Sequence, residues 1–425
     1  MTVRLRYGRS GLEVQLPDER VAAVLHMNPA VPLANPSDSV LQALRQPLGA
    51  PPLRALARGK RTACVVVSDI TRPVPNRLIL PPLLEELHAG GMPEQGVTIL
   101  VGTGIHRANE GEELVEMLGP DLPRRYHVLN HVARDPSSHT SLGRTSRGTP
   151  VEVDSRYLQA GLKIVTGLIE PHLMAGYSGG RKGICPGICS TATMQVMHGV
   201  RLLDSPKATY GIIEGNPFQE EATEIAAMAG VDFLLNVTLE EKRNLTGVFA
   251  GGLKEAFAAG VAFAEKAVKV PIARPTEVVL TTSAGYPLDA TYYQAIKGVK
   301  GALPAAKPGG TIICAAECSQ GLGGREFTDL CYSMPDLATL EKAMWSNGFF
   351  VLDQWQLQEL IISARHAQVV FFSDALSPDD RRHLLIPCAA SVEEALTQAL
   401  AQHGPEARIT VIPEGPYVLP AVVGS

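Results

Sequence analysis

The chain has 425 residues and a formal net charge of −5, and 45% of its residues are hydrophobic while 19% are charged. This length predicts two or three domains with buried cores and excludes a disordered or fibrous chain. Because the sequence contains neither a membrane-length apolar run nor a signal-peptide pattern nor a long basic run, we expect a cytoplasmic protein with no nucleic-acid or membrane partner. Seven cysteines are too few for a disulfide scaffold and favour reduced thiols.

A βαβ unit is predicted near the start of the chain, with a β-branched strand at 62–67, a helix at 77–90 and a second strand at 97–102. Polar residues follow both strands: Asp69, Thr71 and Arg72 after the first, and Thr103, His106 and Arg107 after the second. The carboxyl ends of neighbouring parallel strands lie side by side, so these residues are candidates for one site.

Strands and helices continue to alternate along the rest of the chain. Further strands are predicted at 162–169, within 232–249, and at 277–282, 311–316, 367–373 and 408–413. Helices are predicted at 191–200, 217–229, 252–268, 290–303, 336–346, 354–365 and 391–403. This pattern predicts α/β architecture, with parallel or mixed sheets flanked by helices.

A domain boundary is predicted at 270–276, where two prolines separate a helix from a new strand. The two predicted α/β domains are residues 1–270 and residues 277–425. We expect the active site in the crevice between them.

The segment 170–198 places one lysine, Lys182, in a glycine-rich loop with His172 and His198 on either side. Glycines let a backbone approach a ligand closely, so the loop could cradle a phosphate. A lysine in this setting could equally form a covalent link to a cofactor or remain solvated. The spacing fits neither a Walker P-loop nor the dinucleotide-binding fingerprint.

Two of the histidines form a candidate acid and base pair. His106 and His172 each follow a predicted strand, and two histidines across a small pocket suit removal of a proton on one face and its return on the other. Asp69 and Arg72 could orient one histidine or hold a ligand. A zinc site that includes Cys185 and Cys189 is a further alternative, although their Cys-x3-Cys spacing is a weak signal.

Several segments together resemble the nickel-dependent lactate racemase family, the LarA-type enzymes. In chain order they are SDITRPVP (68–75), GTGIHR (102–107), EPHLMAGYSGGRKGICPGI (170–188), MHG (197–199), EGNP (214–217), GYPLDATYYQAIKG (285–298) and the tryptophan of DQWQLQ, Trp355. The resemblance implies an isomerase that racemises or epimerises lactate or a related 2-hydroxy acid.

The resemblance also implies a cofactor, the nickel-pincer nucleotide (nickel pyridinium-3,5-bisthiocarboxylic acid mononucleotide), supplied by accessory proteins that synthesise it. On the matching positions, Lys182 would tether this group and His198 would bind its nickel, as imidazole does readily. The segment Asp69, Ile70, Thr71 and Arg72 would contact the nucleotide. His106 and His172 would be acid and base, and Gln294, Lys297 and Arg72 would bind the substrate carboxylate.

The implied reaction passes hydride from C2 of the substrate to the cofactor while one histidine removes the hydroxyl proton. The resulting 2-oxo acid turns, hydride returns to its opposite face, and the other histidine restores the proton. The motifs leave the substrate side chain open. Four residues beside them either shape its pocket or pack in the core: Met174, Tyr177, Tyr292 and Tyr293.

Two other functions stay open on the sequence alone. Lys182 among glycines is compatible with an enzyme that forms a Schiff base with its cofactor, such as a pyridoxal-phosphate enzyme. Arg72 and Lys297 are compatible with a non-catalytic protein that closes two domains on a small carboxylate.

Overall fold

The computed structural model describes residues 1–423, which contain nineteen strands and sixteen α-helices. The strands are β1 (Thr2–Leu5), β2 (Leu12–Gln15), β3 (Val21–Val24), β4 (Ala63–Ser68), β5 (Val97–Gly102), β6 (His127–Asn130), β7 (His139–Arg144), β8 (Pro150–Asp154), β9 (Leu162–Leu168), β10 (Pro171–His172), β11 (Gly176–Tyr177), β12 (Phe233–Leu239), β13 (Leu245–Gly251), β14 (Lys269–Ile272), β15 (Thr276–Thr282), β16 (Ala306–Ala315), β17 (Gln368–Phe372), β18 (Ile409–Ile412) and β19 (Leu419–Val422).

The helices are α1 (Pro36–Arg45), α2 (Leu53–Ala57), α3 (Asn76–Ala89), α4 (Glu112–Leu118), α5 (Leu122–Arg125), α6 (Ser155–Leu158), α7 (Thr191–Met197), α8 (Val200–Leu203), α9 (Pro217–Ala229), α10 (Leu253–Val268), α11 (Tyr292–Ala302), α12 (Arg325–Ser333), α13 (Leu337–Met344), α14 (Gln354–His366), α15 (Pro378–Arg382) and α16 (Val392–His403). Within residues 1–423, every helix is too short or too polar to span a bilayer.

The chain forms two compact units. The central unit consists of Pro29–His198 and Ile212–Lys266, and the terminal unit consists of Met1–Asn28, Gly199–Gly211 and the residues from Ala267 onward. The chain leaves the central unit for the last time after Lys266, close to the boundary predicted at 270–276. However, Met1–Asn28 and Gly199–Gly211 group with the C-terminal part of the chain and not with the predicted domain 1–270.

The first residues of the chain join the terminal unit because they complete its sheet and core. Strand β3 pairs in parallel with β18, with Val21 opposite Ile409. The hairpin of β1 and β2 buries Leu5 and Val14 in the same core as Leu280 of β15. The sequence analysis predicted neither β3 nor this hairpin, since each strand is only four residues long.

The central unit is built on a six-stranded sheet in the order β13-β12-β9-β4-β5-β6. All neighbouring strands are parallel except β12 and β13, which form an antiparallel pair. Strand β4 is buried from Ala63 to Val67, as expected for a parallel strand covered on both faces. The predicted α/β class with parallel or mixed sheets flanked by helices is confirmed.

The strand order of this sheet contains a switch point. From β4 the chain passes to β5 and β6 on one side, and it later returns to β9 on the other side of β4. Ligands of open α/β sheets bind beyond the carboxyl ends of the strands at such a point. The loops that follow β4, β5 and β9 are therefore the place to look for a site in this unit.

The terminal unit has a fully parallel five-stranded sheet in the order β17-β16-β15-β18-β3. Successive residues of its strands face opposite sides, so Val279 and Ile312 lie in one core while Val278 and Ile313 lie in the other. Helix α11, which carries two of the predicted substrate-binding residues, directly follows the loop after β15.

The role of the first strand in the terminal unit can be tested with Leu5→Ala. Leu5 is 1% exposed, so its truncation should lower the free energy of unfolding by about 2–5 kcal/mol. Trp345 and Trp355, the two tryptophans of the chain, both belong to this unit, so denaturant unfolding followed by tryptophan fluorescence reports on it.

The matched control is Val423→Ala in the same unit, where the valine is 68% exposed and the change should stay within about 0.5 kcal/mol. Equal unfolding midpoints for Leu5→Ala and the unmodified chain would contradict the assignment of the first residues to this core.

Candidate active site

Three loops of the central unit meet at the carboxyl edge of its sheet. The loop after β4 begins opposite the loop after β5, because Ser68 pairs with Gly102 at the ends of these strands. The loop after β9 lies on the other side of β4, where Val66 pairs with Val165. The loops that carry Asp69, His106 and His172 therefore leave the sheet side by side, as the sequence predicted.

Asp69 holds His106. The Nδ1 atom of His106 lies 2.6 Å from Oδ2 of Asp69, and the hydroxyl of Thr71 donates to Oδ1 of the same carboxylate at 2.6 Å. Burial by itself raises the pKa of Asp69, but these hydrogen bonds and the charge of Arg72 hold this pKa below its usual value. A carboxylate only accepts, so Nδ1 donates and the neutral ring keeps its lone pair on Nε2. His106 is thus arranged to accept a proton at Nε2.

The turn from Asp69 to Arg72 is fixed from two further sides. Arg72 Nη1 lies 3.2 Å from Oε1 of Glu170, which joins the loop after β4 to the loop after β9. The backbone N–H of Ile70 donates to Oδ1 of Asn109 at 3.2 Å. The sequence analysis missed Glu170 and Asn109, because only the strand order brings them beside this turn.

His172 lies in the two-residue strand β10, which pairs with β11 in a small antiparallel ribbon. Its Nδ1 atom accepts hydrogen bonds from the backbone N–H groups of Met174 at 3.3 Å and Ala175 at 3.2 Å. In the neutral ring the proton is therefore on Nε2. The two predicted catalytic histidines thus differ, since the neutral His106 carries its proton on Nδ1.

Lys182 lies in a 3-10 turn, Gly180–Gly183. The backbone N–H of Lys182 donates to the carbonyl of Gly179 at the start of this turn. Its ammonium nitrogen lies 5.0 Å from the centre of the Phe218 ring. The neighbouring Arg181 points into the protein, where it donates to Gln219. Burial lowers the pKa of Arg181 to about 10, so it is still a cation at neutral pH.

The glycines around Lys182 are explained by packing within the protein. A Cβ atom on Gly180 would lie 2.5 Å from Phe257, and one on Gly183 would lie 2.4 Å from Val165. Gly180 also has a φ of +56°, which disfavours other residues. We predicted close approach to a ligand from these glycines, but the structure accounts for these two by contacts with the chain itself.

His198 follows the last residue of α7 and is 6% exposed. Its Nδ1 donates to the carbonyl of Met194 at 3.1 Å, which leaves the lone pair of the neutral ring on Nε2. Burial and the nearby charge of Lys182 lower the pKa of His198 to about 3, so the ring is neutral at pH 7. A neutral imidazole with its other nitrogen bonded to a backbone carbonyl is the usual form of a histidine metal ligand.

Phe218, in the first turn of α9, brings Lys182 and His198 together. The ring of His198 packs edge to face against Phe218 at a centroid distance of 5.5 Å. The ammonium nitrogen of Lys182 lies 5.0 Å from the centre of the same ring. Phe218 is fully buried. The sequence analysis did not name it, although it directly follows the EGNP motif.

The cysteines near these histidines are buried thiols. Cys185 and Cys189 are both inaccessible to solvent, and a hydrogen bond with Cys185 together with burial raises the pKa of Cys189. Among residues 1–423, no three side chains of the types His, Cys, Asp and Glu are grouped so that they could bind a metal ion. The weak zinc alternative therefore has no ligand set in the described part of the chain.

Gln294 and Lys297 lie one turn apart on α11 in the terminal unit. The hydroxyl of Ser283 donates to the carbonyl of Gln294 at 3.1 Å, and Tyr210 donates to the carbonyl of Lys297 at 3.3 Å, so both backbone positions are anchored. Within residues 1–423, the buried Oε1 atom of Gln294 has no hydrogen-bond partner. The position of the site in a crevice between the domains stays a prediction.

The residues considered for the substrate side-chain pocket divide into two groups. Met174, Tyr177 and Tyr292 are buried, and the hydroxyl of Tyr292 donates to the carbonyl of Leu384, so Tyr292 is part of the core. Tyr293 is partly exposed and accepts a hydrogen bond from the indole of Trp355 at 3.0 Å.

Comparisons with known proteins identify the family of the chain. Residues 7–211 match the family model described as the lactate racemase N-terminal domain, and residues 272–419 match the lactate racemase C-terminal domain. The lactate racemase of Lactiplantibacillus plantarum is 34% identical over 430 residues, with 98% of each chain covered. That of Thermoanaerobacterium thermosaccharolyticum is 33% identical over 421 residues, again with 98% of each chain covered.

Solved structures give the same result for the fold. The lactate racemase apoprotein of Thermoanaerobacterium thermosaccharolyticum superposes with a TM-score of 0.93 at 32% identity, covering 99% of this chain and 100% of that one. A Thermotoga maritima protein superposes with a TM-score of 0.68 at 18% identity, covering 93% and 100%. The second likeness concerns the fold alone, whereas the full-length matches above 30% identity mean that this chain belongs to the lactate racemase family of isomerases.

Proposed function

We propose that the protein racemises lactate or a closely related 2-hydroxy carboxylate. The observation that carries this proposal is the hydrogen bond between Asp69 and His106 at the same sheet edge from which the loop of His172 leaves. The named lactate racemases that match over nearly the whole chain support lactate as the first substrate to test.

The described residues fit the nickel-pincer nucleotide of the family. Lys182 would tether the cofactor, and the neutral His198, which packs against the same Phe218 ring, would bind nickel. The turn Asp69, Ile70, Thr71 and Arg72 would contact the nucleotide. When bound, this group supplies a carbon centre that takes up hydride from C2 of the substrate and returns it.

The chain's own residues would handle the hydroxyl proton. His106 accepts this proton at Nε2, because Asp69 occupies Nδ1 and stabilises the imidazolium that forms. After the bound 2-oxo acid has turned, the oxygen takes a proton from Nε2 of His172. Solvent then removes the extra proton from His106 and restores the one lost by His172. The Nδ1 atom of His172 faces the backbone of its own loop, so Nε2 is the nitrogen that we assign to the substrate.

The substrate carboxylate would be held by Gln294, Lys297 and Arg72 while the remainder of the molecule turns. A guanidinium and an ammonium match the charge of a carboxylate, and an amide adds a directional hydrogen bond. Holding one end of the substrate keeps C2 in place for both halves of the reaction.

The roles of the two histidines can be tested by substitution. His106→Ala and His172→Ala should each lower the rate of lactate racemisation by at least about 10²-fold, because general acid and base catalysis is lost. Nickel content should be unchanged, since neither residue is assigned to the metal. The measurement is chiral chromatography of lactate after incubation of the loaded enzyme with one enantiomer.

His127→Ala is the matched control, because His127 is an exposed histidine at the start of β6 in the same unit. This variant should keep the rate of the unmodified enzyme. A normal racemisation rate of His106→Ala or His172→Ala would contradict the two-histidine proposal.

The link between Lys182 and the cofactor can be tested by mass spectrometry. Protein made together with the cofactor-synthesis accessory proteins should carry a nickel- and sulfur-containing adduct on Lys182, seen by intact-mass and peptide mass spectrometry. Lys182→Arg should lose the adduct, whereas Lys60→Arg, at an exposed position, should keep it. His198→Ala should keep the link to Lys182 but retain less nickel, because the metal loses its protein ligand.

The same measurement separates the alternatives. An adduct that borohydride traps would indicate a Schiff-base enzyme. If protein made with or without the accessory proteins carried no adduct, a carboxylate-binding protein without catalysis would be favoured. Unchanged nickel content in His198→Ala would count against its role as ligand.

A further inference from the structure

The EGNP motif at 214–217 has no role in the proposed chemistry, yet its asparagine is fully buried. Asn216 is the N-cap of α9, and its Oδ1 atom accepts from the backbone N–H groups of Phe218 at 3.0 Å and Gln219 at 3.4 Å. Serine or aspartate would cap a helix as well as asparagine does. Capping alone therefore does not explain an amide at this position.

The amide nitrogen of Asn216 is directed to two backbone carbonyls. Nδ2 donates to the carbonyl of Met174 at 2.9 Å and to that of Ile212 at 2.9 Å. The side chain thus uses both of its hydrogens and accepts twice, which is the full capacity of an amide. Its hydrogens tie the start of α9 to the loop that follows His172.

One planar peptide group connects Asn216 to His172. The carbonyl of Met174 and the N–H of Ala175 belong to the same peptide, so they point in opposite directions from one rigid plane. The carbonyl accepts from Asn216, while the N–H donates to Nδ1 of His172 at 3.2 Å. The amide of Asn216 therefore fixes the orientation of the peptide that binds the imidazole.

A second amide of the same helix turn holds the next part of the loop. Gln219 donates to the carbonyl of Ala175 and, at 3.1 Å, to that of Tyr177, and it accepts from Arg181. All these groups are buried, where a lost hydrogen bond is costly. The first turn of α9 consequently contacts the loop at several points between His172 and Lys182.

We propose that Asn216 is a positioning residue for His172, acting through the peptide group between Met174 and Ala175. The amide keeps this peptide turned so that its N–H meets Nδ1, and this holds the ring orientation and the tautomer with the proton on Nε2. The catalytic part of this inference rests on the role of His172 in the proposed function, whereas the tautomer does not.

The test is Asn216→Ser, with Asn216→Asp as a second variant. Both side chains cap a helix through an oxygen atom, but neither has the N–H groups with which the amide of Asn216 donates to the carbonyl of Met174 at the same time. In the loaded enzyme we expect kcat to fall by about tenfold or more, because misplacement by about 1 Å can cost as much as 10²-fold. KM, nickel content and the adduct on Lys182 should stay close to those of the unmodified enzyme.

A spectroscopic readout separates positioning from general loss of structure. Long-range proton–nitrogen NMR of the unloaded protein, with the His172 signals assigned by their absence in His172→Gln, should give the Nε2–H tautomer for the unmodified chain. A mixture of tautomers is expected in Asn216→Ser. Asp336→Ser, a cap replacement on α13 in the terminal unit, is the control and should change neither kcat nor the His172 signals.

An Nδ1–H tautomer of His172 in the unmodified protein would overturn the inference even if both Asn216 variants failed to fold. An unchanged kcat together with unchanged His172 signals in the folded variants would also overturn it. If the unmodified loaded enzyme failed to racemise any 2-hydroxy acid, the proposed function would fail, while the NMR result would still decide the tautomer.

Discussion

The strand order of the six-stranded sheet is the constraint on which the candidate site depends. Because the chain leaves β4 in one direction and returns to β9 on its other side, the loops after β4, β5 and β9 start beside one another. Asp69, His106 and His172 come from three loops that are far apart in sequence. No local contact could bring them to one edge without this parallel pairing.

Hydrogen bonds then fix which nitrogen carries the proton in each of the three histidines. The Asp69 carboxylate fixes the proton of neutral His106 on Nδ1, whereas backbone N–H groups fix that of His172 on Nε2. Burial keeps His198 neutral, as a metal ligand must be. The neighbours of each histidine, rather than the imidazole itself, therefore decide which nitrogen carries the proton.

The sequence predicted the α/β class and the strands of both sheets apart from short ones such as β3 and β6. It left open whether Asp69 orients a histidine or holds a ligand. Those predictions depend on β-branched runs and on the alternation of strands with helices, which involve residues close together in the chain. It did not predict the pairing of β3 with β18, because residues 21 and 409 meet only in three dimensions. Glu170, Asn216 and Phe218 were missed for the same reason, although Asn216 lies in the EGNP motif and Phe218 directly follows it.

The central claim is that the histidines move only the hydroxyl proton while hydrogen leaves C2 as hydride. The most direct measurement is racemisation, in ordinary water, of lactate that carries deuterium at C2, with the isotope content of the product determined by mass spectrometry. The account predicts that the opposite enantiomer retains its deuterium, because hydride leaves and returns without exchange with water. Replacement of this deuterium by hydrogen from water would contradict the account, since it would mean that a histidine removes the C2 hydrogen as a proton.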